Sequence, residues 1–392
     1  MDYDRLLNRR LRELKPSGIR RFFDIAAEMK EVISLTIGEP DFSTPWHIRQ
    51  QGVETLEKGK TWYSPNAGLM ALREEIANYI HRQIGVDYEA ASEVLVTVGG
   101  SEAIDLAFRS LICPGDEVLI PEPSFVCYDP LTRMAEGVPV PLVTREEDCF
   151  ALTAETLKAA ITPRTKLLVL PYPNNPTGGI MRRDQLEAIA EVLRGTDILV
   201  LSDEIYSELT YGHTSHVSIT QLPGMWERTV RISGFSKAFA MTGWRLGYAC
   251  APAPILKQML KLHQYAIMSA PTTAQYAAIE AMRNGDEDVE TMREEYDCRR
   301  RLIVERLRGM GLSCFEPEGA FYVFPSIQST GMTSEEFCHR LLKEKHVAVV
   351  PGNAFGESGE GFVRISYCYS LKHIQEAMNR MESFLRELRG EH

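Results

Sequence analysis

The stretch Ser233-Gly-Phe-Ser-Lys237-Ala-Phe-Ala-Met-Thr-Gly-Trp-Arg245-Leu-Gly247 carries the strongest chemical signal in this sequence. Lys237 lies between a serine and an alanine, and Arg245 follows eight positions later. An amine attacks a carbonyl only when it is unprotonated, and a nearby positive charge lowers the pKa of a lysine. Arg245 can supply this charge and can bind a phosphate through two parallel N–H bonds. The pattern therefore predicts a site that binds an aldehyde covalently and holds its phosphate, although most single lysines are simply solvated.

Length and composition indicate a two-domain globular protein. The chain has 392 residues, more than the roughly 250–300 at which single hydrophobic cores stop growing. Hydrophobic residues make up 44% and charged residues 25%, which argues against disordered and fibrous classes. The net charge of −11 disfavours a general nucleic-acid or anionic-membrane surface. Anionic ligands would then depend on local arginines and backbone amides.

The sequence also favours a cytoplasmic location. The eight cysteines are scattered without a C-x-x-C pair, which is typical of reduced thiols and predicts neither a disulfide framework nor a metal site. The first residues mix acids and bases without an apolar segment, so we expect neither a signal peptide nor a transit peptide. No apolar run approaches the ~18 residues that span a bilayer.

Short β-branched runs alternate with helix-periodic segments through the middle of the chain. Between two such runs, Leu186, Ile189, Ala190 and Leu193 fall on one helical face. This alternation predicts an α/β fold with a mostly parallel sheet that helices cover on both sides. The predicted buried strands are Val94–Val98, Glu117–Ile120, Lys166–Leu170, Ile198–Leu201 and Thr229–Ser233.

Polar, glycine-containing segments directly follow four of these strands. Ligands of open α/β sheets bind outside the carboxyl ends of the strands. We therefore expect one site to be lined by Gly99–Glu102, Pro171–Gly178, Asp203–Tyr206 and Gly234–Lys237.

The pattern changes at about residue 285, which predicts a large domain over 46–285 and a smaller α/β domain over 286–392. The segment 1–45 is expected to pack on the smaller domain. Thr333-Ser-Glu-Glu336 reads as a capping box that opens a helix. The other predicted elements are a charged helix over Glu290–Met310, strands over Ala320–Phe324, Val347–Val350 and Phe362–Tyr367, and a closing helix from Ser370.

Six separated motifs occur in the order known from one enzyme family. The chain resembles the class I/II, fold-type I, pyridoxal-5′-phosphate-dependent aminotransferases over nearly its full length. It is most similar to the bacterial and archaeal branch that acts on aspartate, aromatic or related amino acids. The motifs are Leu35-Thr-Ile-Gly38-Glu-Pro-Asp-Phe42, Tyr63-Ser-Pro-Asn-Ala-Gly68, Pro173-Asn-Asn175-Pro-Thr-Gly178, Asp203-Glu-Ile-Tyr206, the Lys237 stretch and Phe362-Val-Arg364-Ile-Ser366.

The resemblance implies that Lys237 forms the internal aldimine with the cofactor and later moves a proton as base and acid. Asp203 would keep the pyridine nitrogen protonated, although the same residue could serve as a plain helix N-cap. Tyr206 and Asn175 would hydrogen-bond the phenolic oxygen of the cofactor. Asn175 also suits an ordinary turn, and both roles can hold together.

The resemblance also assigns the phosphate and the ring face of the cofactor. Gly100, Ser101 and Glu102 precede a predicted helix, whose first backbone N–H groups would bind the phosphate; a plain serine cap is the alternative. Phe125 would stack on the cofactor ring, or else be a core phenylalanine. Many relatives carry a hydroxyl residue where this chain has Gly234. We expect Ser236, rather than Ser233, to replace that hydroxyl.

Substrate and subunit contacts complete the expected site. Arg364 lies in an apolar strand, where a substrate α-carboxylate would be a suitable bidentate partner and a structural salt bridge is the alternative. Gly38 would add a backbone amide to the same carboxylate. Tyr63 would reach the phosphate of the neighbouring subunit, since the family builds each site across a homodimer.

These observations predict a homodimeric aminotransferase of amino-acid metabolism that works by a ping-pong cycle between an amino acid and a 2-oxo acid. A C–S β-lyase of the same fold is the first alternative, because the cofactor permits several reactions. An effector-binding regulator is the second, but the family motif begins at Gly38, which leaves no room for a preceding DNA-binding module. Aspartate, aromatic and N-acylated diaminopimelate-type substrates all remain open. Arg20 and Arg21 could recognise an acidic side chain or could simply be exposed.

Overall fold

The computed structural model describes residues 1, 3–14, 31–212 and 214–391. Arg20 and Arg21 lie outside these residues, as does part of the predicted N-terminal segment. Its helices are α1 Tyr3–Leu6, α2 Arg9–Glu13, α3 Trp46–Glu57, α4 Met70–Ile84, α5 Ala90–Glu93, α6 Gly99–Leu111, α7 Tyr128–Met134, α8 Ala154–Ala160, α9 Arg183–Leu193, α10 Ala253–Ala266, α11 Thr272–Asn284, α12 Asp286–Gly309, α13 Ser334–Lys345 and α14 Leu371–Leu388. In the described part of the chain, no helix combines the length and apolar character needed to cross a bilayer.

A seven-stranded sheet forms the centre of the molecule, in the order β2-β8-β7-β6-β5-β3-β4. All neighbouring strands pair in parallel except that β8 runs antiparallel to both β2 and β7. All five predicted strands are present within one or two residues of their expected bounds, which confirms the α/β class with a mostly parallel sheet. The strands are β2 Val94–Thr97, β3 Glu117–Glu122, β4 Val138–Val143, β5 Thr165–Leu170, β6 Leu199–Asp203, β7 Thr229–Gly234 and β8 Gly247–Cys250.

Helices cover both faces of this sheet because alternate strand residues point to opposite sides. On one face, Leu167 and Val169 of β5 pack in a cluster with α6 and α10. On the other face, Leu168 and Leu170 pack with α8 and α9. The predicted helical face of α9 is confirmed, since Leu186, Ile189, Ala190 and Leu193 are all buried in this second cluster.

Two smaller sheets lie in the C-terminal part of the chain. β1 Ile33–Ser34 pairs in parallel with β10 Val347–Ala348, and β11 Val350–Pro351, β12 Val363–Ser366 and β9 Tyr322–Val323 form an antiparallel sheet. Helices α12, α13 and α14 bury their apolar faces against these strands. The strand predicted over Ala320–Phe324 is shorter than expected. The domain boundaries at 45 and 285 remain predictions.

The predicted capping box of helix α13 is only half formed. The Thr333 hydroxyl accepts from the Glu336 backbone N–H at 3.2 Å, as expected for an N-cap. Among the described bonds, no return contact runs from the Glu336 carboxylate to the Thr333 backbone. The helix therefore begins where the sequence predicted, with one of the two reciprocal bonds.

Strand β8 begins in contact with the first turn of helix α6. A Cβ built on Gly247 would lie 2.5 Å from the backbone nitrogen of Gly100 and 2.5 Å from the carbonyl carbon of Gly99. Only a glycine leaves room for two backbones at this distance. The close approach sets the loop between β7 and β8, which contains Lys237, beside the N-terminus of α6.

Candidate active site

A cavity of about 490 Å³ opens at the carboxyl ends of the central strands. It draws residues from all four of the polar segments that were expected to meet there. Residues of the segment after β1 and of β9 and β12 close its other side. The lining residues are Thr36, Ile37, Gly38, Glu39, Gly100, Ser101, Ile104, Phe125, Tyr128, Pro171, Pro173, Asn175, Asp203, Ile205, Tyr206, Ser236, Lys237, Thr242, Gly243, Arg245, Tyr322 and Arg364.

Lys237 places its amine at the centre of this cavity. Its Nζ donates to the Gly38 carbonyl at 2.5 Å and lies 5.8 Å from the centroid of the Tyr206 ring. Burial lowers the pKa of Lys237 to about 8, with smaller contributions in the same direction from Arg364 and Arg245. The sequence analysis was wrong to make Arg245 the main cause. A largely dehydrated amine loses its charge more readily than a solvated one.

Asp203 is the last residue of β6 and presents a buried carboxylate to the cavity. Its Oδ2 accepts from the Tyr128 hydroxyl at 2.7 Å, and its Oδ1 accepts from the Ile205 backbone at 3.3 Å. Burial raises the pKa of Asp203 from 3.8 to about 6 despite these bonds. The helix-cap alternative is wrong, because turn residues follow β6. Tyr128 was missed, although it belongs to the segment quoted for Phe125.

The neighbouring carboxylate, Glu204, is fully buried on the other side of the sheet end and is neutralised there. Its Oε2 accepts from Arg231 at 2.7 Å, and its Oε1 accepts from the Ser218 hydroxyl at 2.6 Å. Burial opposes ionisation of Glu204, but the Arg231 charge overcomes it and holds the pKa well below its ordinary value. Arg231 is thus committed to Glu204, and Asp203 has no cation of its own.

Tyr206 is hydrogen-bonded to a second tyrosine that the sequence analysis did not select. The Tyr206 and Tyr322 hydroxyls lie 2.9 Å apart, and both rings are buried. A Cβ built on Gly38 would lie 1.8 Å from the Tyr322 hydroxyl oxygen. A glycine at position 38 therefore leaves room for Tyr322 beneath the segment that receives the Lys237 amine.

Arg364 and Asn175 are in direct contact across the cavity. Arg364 is only 3% exposed. Its Nη1 donates to the Asn175 side-chain oxygen at 2.9 Å, its Nη2 donates to the Thr36 carbonyl at 2.5 Å, and its Nε is buried without a partner. Tyr322 lies against the guanidinium at 4.6 Å. Among the described residues no carboxylate is paired with Arg364, so the salt-bridge alternative is not supported by the structure.

The N-terminus of α6 forms another part of the wall. Gly100, Ser101 and Glu102 lie within its first turn, not before it as predicted. The N-cap is Val98, whose backbone N–H donates to the Glu102 carboxylate at 2.5 Å, so the serine-cap alternative is wrong. A Cβ built on Gly99 would lie 2.7 Å from Nη2 of Arg245, which places this guanidinium beside the helix terminus.

The remaining expected residues are placed as follows. Ser236 lines the cavity, whereas the buried Ser233 hydroxyl donates to the Glu204 carbonyl at 3.2 Å. A Cβ on Gly234 would lie 3.0 Å from the Gly247 Cα, so the contact with β8 leaves little room for a side chain there. Phe125 lines the cavity. Tyr63 does not line it and is 78% exposed.

Comparison with known proteins gives matches over nearly the whole chain. A family model described as "Aminotransferase class I and II" matches residues 30–381. The chain is 48% identical over 380 residues to the aspartate aminotransferase of Pyrococcus abyssi, covering 96% of this chain and 98% of that protein. It is 44% identical over 383 residues to the aromatic-amino-acid aminotransferase 2 of Thermococcus litoralis, covering 97% and 98%.

The fold is shared with solved structures at the same level of similarity. The aromatic aminotransferase from Pyrococcus horikoshii superposes on this chain with a TM-score of 0.90 at 45% identity, covering 95% of this chain and 99% of that one. The names of these proteins agree on the reaction and differ in the amino acid.

We expect Asp203→Asn to stabilise the ligand-free protein at alkaline pH. Because the pKa of Asp203 is raised, its contribution to stability is complete below pH 3.8 and is lost as the pH rises through about 6. The loss corresponds to about 3 kcal/mol. Thermal unfolding at pH 8 should therefore occur at a higher temperature in the variant, and the difference should vanish near pH 4.

Glu204→Gln is the matched control for this measurement. It removes the partner of the buried Arg231 and should lower the unfolding temperature at pH 8. An Asp203→Asn protein that is no more stable than wild type at pH 8 would contradict the assignment of a raised pKa to Asp203.

Proposed function

The chain belongs to aminotransferase class I and II and is a pyridoxal-5′-phosphate-dependent aminotransferase, and we propose the part that each cavity residue plays. Membership at this identity favours aminotransfer over the β-lyase and over the effector-binding regulator. A cytoplasmic location and a role in amino-acid biosynthesis are further proposals that rest on the sequence.

The cavity has the chemical groups that this cofactor needs at each of its ends. We propose that the first turn of α6, Arg245 and Ser236 bind the phosphate, since backbone N–H groups and a guanidinium both suit an anion. Asp203 would bind the ring nitrogen and Phe125 would cover one ring face. When bound, the cofactor supplies a carbonyl that accepts the amino group and a ring that withdraws electrons from the substrate Cα.

Asp203 suits its role because its charge is not neutralised by the protein. Arg231 is held by Glu204, and the bond that Asp203 receives from Tyr128 is a neutral one. With a pKa of about 6, the carboxylate is ionised at neutral pH and can stabilise a positive charge on the ring nitrogen. Tyr206 and Asn175 lie at the opposite side of the cavity, where they would donate to the phenolic oxygen.

Lys237 is proposed as the attachment point of the cofactor and as the group that moves the proton. Its pKa of about 8 leaves a useful fraction of the amine neutral near physiological pH. After the substrate has displaced it, the same amine can take the proton from the substrate Cα and return it. The cycle is completed when a second oxo acid accepts the amino group, which is the ping-pong order.

Arg364 is proposed to bind the α-carboxylate of each substrate. Its Nε is buried without a partner, and two other donors are held by Asn175 and the Thr36 carbonyl. A buried unpaired donor is costly unless a ligand satisfies it. The Gly38 amide would add a second contact to the same carboxylate. This unpartnered guanidinium beside the buried Lys237 amine is the observation that best supports the proposal.

The central assignment is tested by Lys237→Ala. Reduction of the holoenzyme with borohydride should fix the cofactor to one lysine, which peptide mass spectrometry should identify as Lys237. The variant should hold no reducible cofactor and should lose at least about 10³-fold in kcat, since a missing base and attachment point are both involved. Lys257→Ala, at an exposed position, is the control. Fixation at another lysine would contradict the proposal.

We also propose that the enzyme is a homodimer in which Tyr63 acts in the partner's site. Tyr63 and Trp62 are 78% and 62% exposed, and Tyr265 is 91% exposed. The Asn66 amide donates to the Met268 carbonyl at 2.7 Å, which holds these two segments together. An exposed aromatic patch of this kind is typical of a subunit interface.

Mixed dimers test this arrangement. Co-expression of Lys237→Ala and Tyr63→Ala chains produces heterodimers in which one site has both residues intact if Tyr63 acts across the interface. We expect the mixture to recover activity that neither variant has alone. A chain with both substitutions, mixed with wild type, is the control and should give no gain over diluted wild type. No recovery in the first mixture would show that Tyr63 acts within its own subunit or not at all.

A further inference from the structure

The ionisable side chains that line the cavity limit the kind of substrate it can bind. Among the described residues, the charged side chains of the lining are three cations, Lys237, Arg245 and Arg364, and two carboxylates, Glu39 and Asp203. The other lining residues are uncharged. An amino acid with an acidic side chain brings two carboxylates into this space, and a neutral one brings a single carboxylate.

Each of the three cations already has a place in the proposed site. Arg245 lies beside the N-terminus of α6, where its Nη1 also donates to the Thr242 carbonyl at 2.9 Å. Lys237 donates to the Gly38 carbonyl, and Arg364 is fixed by Asn175 and Thr36. Phosphate, cofactor carbonyl and substrate α-carboxylate therefore use all of them. No described cation remains for a second substrate carboxylate.

The walls around Arg364 add nothing that would replace such a cation. Ile37 precedes the Gly38 amide and is 39% exposed toward the opening, and Tyr322 lies against the guanidinium. Glu39 follows Gly38 and brings a like charge to the same edge. A desolvated carboxylate without a cationic partner is strongly disfavoured, whereas an apolar or aromatic side chain meets no such cost.

We propose that this enzyme transaminates amino acids with uncharged, apolar or aromatic side chains in preference to aspartate and glutamate. The inference rests on the proposed roles of Arg364, Arg245 and Lys237. Family membership leaves the question open, since relatives of similar identity are named for aspartate and for aromatic amino acids. The charge of the cavity is what decides between these classes.

The test is the first half-reaction of the holoenzyme, followed by stopped-flow absorbance of the bound cofactor without any oxo-acid acceptor. Asparagine against aspartate and glutamine against glutamate compare side chains of nearly equal size that differ in charge, and phenylalanine serves as an aromatic donor. We expect the rate constant per unit concentration to be at least tenfold higher for the uncharged member of each pair, and for phenylalanine over aspartate. An equal or higher value for aspartate than for both asparagine and phenylalanine would overturn the proposal, whatever residue outside the described ranges is responsible.

Two further measurements separate this inference from the proposed function. If no amino acid changes the cofactor spectrum, the proposed function fails as a whole. Arg364→Lys should weaken all donors by a similar factor and leave the charged-to-uncharged ratio unchanged, because it acts on the shared α-carboxylate. A selective loss of aspartate in this variant would show that Arg364 binds the side chain and would contradict the inference. Binding of the unreactive analogues 3-phenylpropanoate and succinate should follow the same order as the donors.

Discussion

The amine of Lys237 is held out of water where the chain passes from β7 to β8, and the rest of the site depends on that desolvation. The amine donates to the Gly38 carbonyl, and the segment that contains Gly38 is in turn bound to the C-terminal strands, where the Leu35 carbonyl accepts from the Ser366 backbone at 2.9 Å. One contact thus joins the central sheet to the C-terminal part of the chain. Burial at this junction lowers the pKa of Lys237 and makes the amine a nucleophile at neutral pH.

The same principle explains the two consecutive carboxylates at the end of β6. Glu204 is paired with a buried arginine, and its charge is satisfied within the protein. Asp203 is buried without a cation, so its ionised form is destabilised until a positively charged ligand atom binds. Arg364 shows the complementary arrangement, a buried cation with an unused donor. The protein therefore gives up some stability in order to hold charges ready for cofactor and substrate.

Much of this arrangement could be predicted from local sequence, and the missing parts are contacts between distant residues. The five central strands follow from β-branched runs, and the position of the site follows from the polar segments after them. Tyr128 and Tyr322 were missed because their partners, Asp203 and Tyr206, lie 75 and 116 positions away. The dominant effect of burial on Lys237 was missed for the same reason. The unusual Gly234 is explained only by the backbone of Gly247 opposite it.

The central claim is that burial, more than a neighbouring charge, activates Lys237. It is tested most directly by the pH dependence of the reactivity of this amine, measured by competitive labelling of the cofactor-free protein with a small acylating reagent and peptide mass spectrometry. The account predicts that labelling of Lys237 titrates near pH 8, and that Arg245→Gln moves this value only slightly. Titration near the ordinary lysine value of 10.5, or a return to that value in Arg245→Gln, would contradict it.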